Sequence, residues 1–74
     1  MAETPDIRSE VDAVLNAANL STGEGRAKAA RLACKVIAQH PDPRVRHQLL
    51  MDVAGPTRVR EAILIEVVND YVNA

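Results

Sequence analysis

The chain has 74 residues, of which 47% are hydrophobic, yet it contains no Trp, no Phe and one Tyr. With a single aromatic side chain it has no stacking platform for single-stranded nucleic acid, and a domain of this length is too small to enclose a large enzyme pocket. Nine Lys and Arg residues against ten Asp and Glu residues give a net charge of −1, which argues against a general polyanion-binding protein.

The first predicted helix covers residues 5–19 and follows residues 1–4, which we expect to be disordered. Thr4 offers an N-cap, and Pro5 suits the first helical position because the N–H that it lacks would be unpaired there. The apolar residues that follow recur at the spacing of one helical face. They are Ile7, Val11, Val14, Leu15 and Ala18.

The second predicted helix covers residues 22–39. Ser21 and Glu24 have the spacing of a capping box at its start. Its polar residues are confined to one narrow stripe, and the rest of the helix is rich in alanine. A helix with so narrow a stripe is buried on most sides, so we expect it to be the central helix with close neighbours. The stripe consists of Glu24, Lys28, Arg31, Lys35 and Gln39.

The third predicted helix covers residues 43–54. His40-Pro41 ends the preceding helix, because a residue before proline disfavours the α conformation. Asp42 is the predicted N-cap, followed by Pro43 at the first helical position. Gly55-Pro56 then has the composition of a helix C-terminus.

The fourth predicted helix covers residues 57–72. Its segment 63–68 is rich in β-branched residues, but a helix is favoured because no second strand is available to pair with it. The sequence thus predicts one all-α domain over residues 1–74, a compact bundle of four short helices. The apolar face of the fourth helix is wider than one small domain needs, so we expect a homodimer contact there. The predicted contact residues are Leu64, Ile65, Val68, Tyr71 and Val72.

Segments 44–53 and 58–67 are similar, with five identical positions in ten. Helical projections of the two segments place Arg46 and Arg60 on apolar faces. A guanidinium stays charged and needs a partner when it is buried. Each arginine is therefore either structural, as Arg46 would be if it paired with Asp42, or an anchor for a partner's carboxylates or phosphates.

The segment from His40 to Arg46, with an amphipathic helix on each side, resembles the turn between the two helices of HEAT-type repeats. That family places a D-P-x-V-R motif in this turn, and Asp42, Pro43, Val45 and Arg46 match it. The resemblance covers residues 26–54. It implies a helical hairpin with a protein-binding face and without catalytic residues.

Catalytic and metal chemistry find little support in the sequence. Cys34, His40 and His47 are the only soft metal ligands, and their spacing matches no zinc pattern. Cys34 is alone, which excludes an internal disulfide. No apolar stretch is long enough to cross a membrane, and the acidic N-terminus is unlike a signal peptide. We therefore predict a cytoplasmic protein that is not an enzyme and has no cofactor or metal.

Two functions remain at this point. The first is a protein-protein interaction module, acting as an adaptor, regulator or inhibitor through an Arg-rich face. The alternative is a dimeric DNA-binding regulator of the helix-turn-helix type, with the third helix as recognition helix. The candidate partner-binding residues are Arg44, Arg46, His47, Gln48, Arg58 and Arg60.

Overall fold

The computed structural model describes residues 6–74, and these residues form four α-helices with no strand among them. The prediction of an all-α bundle of four short helices is confirmed. The predicted disorder of residues 1–4 and the predicted cap at Thr4-Pro5 lie outside the described residues. The helices are α1 (Ile7–Ala17), α2 (Gly23–Ile37), α3 (Pro43–Thr57) and α4 (Glu61–Asn73).

Side-chain caps determine where the first two helices begin. The Asp6 carboxylate accepts hydrogen bonds from the backbone N–H and the hydroxyl of Ser9, so α1 starts at Ile7. At the start of α2 the cap is Thr22, whose Oγ1 accepts from the Gly25 N–H at 3.0 Å. The predicted cap at Ser21 was therefore wrong by one residue.

The third helix begins as predicted but ends later. Asp42 is the N-cap and accepts from the Arg44 N–H at 2.9 Å. Gly55-Pro56 lies within the last turn and does not end the helix. Because Gly55 has no Cβ, it can keep the α conformation before proline at little steric cost. The helix ends at Arg58, which adopts a left-handed conformation (φ 56°).

The prediction that α2 is central is confirmed. It packs against all three other helices, as α3 also does, while α1 and α4 do not contact each other. Three small residues of α2, namely Ala29, Ala30 and Ala33, are buried and let the neighbouring helices approach closely. The radius of gyration is 11.7 Å, close to the value of about 11 Å expected for a compact chain of this length.

The core consists of aliphatic side chains and one thiol. Its largest members include Ile37, Leu49 and Leu64, each at most 2% exposed. Leu64 and Val68 face this core, so they are not available to a second chain, contrary to the dimer surface predicted from the sequence. Helical projection alone could not show that α4 turns these two residues toward α2 and α3. Tyr71 and Val72 remain exposed, at 40% and 41%.

Candidate functional site

The arginine face predicted from the sequence is not one continuous surface. Arg44 lies in the first turn of α3, and Arg58 follows the last residue of that helix. At 1.5 Å per residue the two positions are about 20 Å apart along the axis. Arg44 and Arg58 are both exposed, as is Gln48. The structure therefore brings the candidate residues together only in part.

Arg46 has a structural partner. It is half-buried, and its guanidinium donates a hydrogen bond of 2.7 Å to the backbone carbonyl of His40. The structural interpretation of this arginine is supported, but its partner is a carbonyl six residues earlier and not the Asp42 carboxylate. The Asp42 carboxylate instead caps α3 through the Arg44 N–H.

Arg60 is not on a helical face at all. It is exposed and precedes α4, which begins at Glu61, so the projection that placed it among apolar residues was wrong. The neighbouring Glu61 lies 3.3 Å from the ring of His47, and both side chains are about half exposed. An exposed pair of this kind contributes little to stability.

A second surface lies on the exposed side of α2. Lys28, Arg31 and Lys35 are exposed there and recur at spacings of three and four residues, so they form one row along the helix. We call these three residues the α2 ridge. Among residues 6–74, no carboxylate oxygen lies within 4.0 Å of any of these three charges. The sequence showed this row only as the polar stripe of a central helix, and the tertiary structure was needed to show that no acid of residues 6–74 pairs with it.

An apolar groove of about 570 Å³ runs between α1 and α2, beside the ridge. Small side chains line much of it, including Ala13, Ala17 and Ala29, and Leu32 lines it while remaining 45% exposed. Lys28 of the ridge also lines the groove. The groove thus combines a shallow apolar floor with positive charge.

A smaller apolar groove, of about 280 Å³, lies on the other side of the ridge, between α2 and α4. It is lined by Arg31 of the ridge and by the exposed Ile63. Cys34 also borders it, but the thiol is buried and its pKa is raised to about 11 because burial disfavours the thiolate. A thiol with that pKa is not an activated nucleophile at neutral pH.

Residues 6–74 contain no cluster of three or more His, Cys, Asp or Glu side chains that could hold a metal ion. In the same part of the chain, no helix has the length and apolar character needed to cross a bilayer. What the described residues do present is surface for macromolecular contact: the ridge, its two grooves and the exposed arginines.

The family described as the DnaB-helicase binding domain of primase matches residues 11–62, which is more than half of the chain. The chain belongs to this family. The finding corrects the resemblance to HEAT-type repeats over residues 26–54, because the match covers that segment together with most of α1. No curated protein and no solved structure matches the chain.

The family match includes some of the candidate surfaces and leaves one of them out. Residues 11–62 include the whole α2 ridge and every residue that lines the groove between α1 and α2. All five residues of the predicted dimer surface, Leu64 to Val72, lie beyond it. The part of the chain that is shared with the family therefore carries the ridge, the larger groove and the exposed Arg44, Arg58 and Arg60, but not the predicted dimer surface.

Proposed function

We propose that this protein is a non-catalytic interaction module that binds a DnaB helicase. The observation that carries the proposal is the family match over residues 11–62, since the family is the domain through which primase binds that helicase. The exposed apolar grooves beside α2 and its three charges that lack an acidic partner within residues 6–74 support the proposal, because they offer a surface for a protein partner.

The proposal places the protein in the cytoplasm, at the replication machinery in which such a helicase works. It retains the adaptor, regulator or inhibitor role predicted from the sequence, with the helicase as the partner. The exposed residues of the predicted arginine face, Arg44, Arg58 and Arg60, are a second candidate contact surface, separate from the α2 ridge.

A direct binding measurement tests the function. The 74-residue chain is immobilised, and purified DnaB helicase from the same cell is titrated over it, with a helicase of another family as control. We expect saturable binding to the DnaB helicase alone. Absence of binding at micromolar concentration, or equal binding to both helicases, would overturn the proposal. Duplex DNA is titrated in a third channel, and binding to DNA alone would favour the DNA-binding alternative.

A competition experiment tests whether this chain and primase bind the same site on the helicase, as their membership of one family suggests. Labelled primase from the same cell is bound to the helicase, and the 74-residue chain is added in increasing amounts. We expect the chain to displace primase. If primase stays bound when the 74-residue chain is present at saturating concentration, the three proteins form a ternary complex. That result would show that primase and this chain bind at different sites on the helicase.

A further inference from the structure

The three cations of the α2 ridge lie close together on one helix, and no carboxylate of the described residues pairs with them. Arg44 and Arg58 also lack a carboxylate within 4.0 Å among residues 6–74, but they lie at opposite ends of α3. Arg8 pairs with Asp52 at 3.0 Å, whereas Lys28, Arg31 and Lys35 have no carboxylate within 4.0 Å in residues 6–74. Even Glu24, one turn before Lys28, stays beyond that distance. Three cations within about 10 Å of helix repel one another, and an acidic partner would relieve that repulsion.

The ridge adjoins apolar surface on both sides. Lys28 lines the larger groove, between α1 and α2, and Arg31 lines the smaller one, between α2 and α4. The floor of the larger groove is built from alanine, so a partner's backbone can approach closely. Leu32 stands in that groove as an exposed aliphatic anchor.

We propose that the α2 ridge and the groove between α1 and α2 bind an acidic amphipathic helix of the partner. The groove is lined by Ala13 to Asn19 on one side and Gly25 to Leu32 on the other, which corresponds to about two helical turns. An amphipathic helix fills such a groove with apolar residues at i, i+3 or i+4, and i+7. Its acidic side then faces Lys28, Arg31 and Lys35.

The apolar groove distinguishes a protein partner from nucleic acid. Phosphates would match the ridge charges, but they would leave Leu32 and the alanine floor in contact with solvent. An acidic amphipathic helix satisfies both features at once, because it buries apolar area and neutralises charge in the same contact. The net charge of −1 also gives the whole domain no general attraction to DNA.

This inference rests on the proposed function, and its test uses the same helicase. Lys28, Arg31 and Lys35 are replaced together by Gln, which keeps the length and helix propensity of the side chains. The matched control replaces Arg44, Arg58 and Arg60 together by Gln. Each triple variant changes the net charge from −1 to −4, so the two differ only in where the charge is removed.

We expect the ridge variant to bind the helicase about tenfold more weakly and the control variant to lose less affinity than the ridge variant does. The wild-type affinity should also fall as ionic strength rises from about 0.05 M to about 0.5 M, and less so in the ridge variant. If the wild type binds and the ridge variant binds equally well, the ridge proposal fails while the proposed function stands. Loss of binding in the control variant alone would assign the contact to the arginine face predicted from the sequence.

The groove is tested separately with Leu32→Asp, and Met51→Asp serves as its control. Both residues are exposed aliphatic side chains, at 45% and 51%, so neither change should unfold the domain. We expect Leu32→Asp to weaken helicase binding at least tenfold and Met51→Asp to leave it unchanged. Equal affinities for the two variants would overturn the groove as the docking site. Binding of duplex DNA is measured for the same variants. If the wild type binds duplex DNA and the ridge variant does not, while both bind the helicase equally well, the ridge is a nucleic-acid contact instead.

Discussion

The Arg46 guanidinium donates a hydrogen bond of 2.7 Å to the backbone carbonyl of His40, six residues earlier. Arg26 makes the same contact with the Leu20 carbonyl, at 3.1 Å. In both cases the arginine is the fourth residue of the helix, after a capping side chain. The loops that lead into α2 and α3 are therefore held by the same type of hydrogen bond, from an arginine in the first turn of the helix to a backbone carbonyl six residues earlier. The two arginines are 20 residues apart.

Loss of this contact should destabilise the domain without affecting helicase binding. Arg46→Met keeps the aliphatic stem but leaves the His40 carbonyl without its charged donor. We expect the free energy of unfolding to fall by about 1–2 kcal/mol, as is typical of a half-buried bond to a charged group. Arg44→Met, two residues earlier and exposed, should change it by less than about 0.5 kcal/mol. Urea unfolding followed by circular dichroism measures both, and equal effects would contradict the structural role of Arg46.

Gly25 is required where α2 begins beside the loop from α1. A Cβ at this position would lie 1.8 Å from the Asn19 carbonyl oxygen, a backbone atom that cannot move independently. We expect Gly25→Ala to lower the free energy of unfolding by about 2 kcal/mol or more. Gly23→Ala is the control, since its Cβ would meet only the flexible Arg26 side chain at 3.9 Å. It should be neutral or slightly stabilising, and a loss comparable to that of Gly25→Ala would refute the steric explanation.

The buried thiol of Cys34 should make stability fall at alkaline pH. Burial raises its pKa from 9.0 to about 11. Between these values the unfolded chain releases the proton and the folded chain keeps it, so unfolding becomes more favourable as the pH rises. The full stability is present below about pH 9, and about 2–3 kcal/mol is lost by the time the pH has passed 11.

Cys34→Ala separates this effect from the titration of other groups. The variant should be less stable at neutral pH because it leaves a small cavity, but its stability should decline less between pH 9 and 11 than that of the wild type. Urea unfolding at several pH values gives the slope of the free energy of unfolding against pH for the wild type and for the variant. Parallel slopes would show that the thiol ionises as readily in the folded chain as in the unfolded one.

Two positions of α4 that lie four residues apart, Val68 and Val72, should respond differently to an introduced charge. Val68 is 3% exposed, so Val68→Glu places a carboxylate in the core and should unfold a domain whose total stability is about 4–11 kcal/mol. Val72 is 41% exposed, and Val72→Glu should change stability by less than about 0.5 kcal/mol. Circular dichroism checks folding. A folded Val68→Glu protein would contradict the core position of this residue.

Light scattering of the wild type and of Val72→Glu tests the homodimer predicted from the sequence. Of the predicted contact residues, Tyr71 and Val72 are the two that remain exposed. A dimeric wild type that becomes monomeric in Val72→Glu would place a contact between copies at this end of α4. A monomeric wild type would end the homodimer prediction.

The sequence by itself determined the four helices and the central place of α2. Asp42-Pro43 marks the start of α3 because a capping carboxylate and a proline at the first helical position act locally. The alanines of α2 indicated close packing, because small side chains let two helices approach closely. These features depend on neighbours in the chain, and a single sequence contains all of them.

Only the tertiary structure decided which polar residues are engaged and which are free. Arg46 is held by a carbonyl that lies beyond a loop, and the similarity of segments 44–53 and 58–67, which paired it with Arg60, has no structural counterpart. The α2 ridge is a candidate site because its charges have no carboxylate within 4.0 Å in residues 6–74 and because apolar grooves lie on both sides of it. Charge pairing and groove shape depend on distances between helices, and the spacing of residues along one chain does not contain those distances.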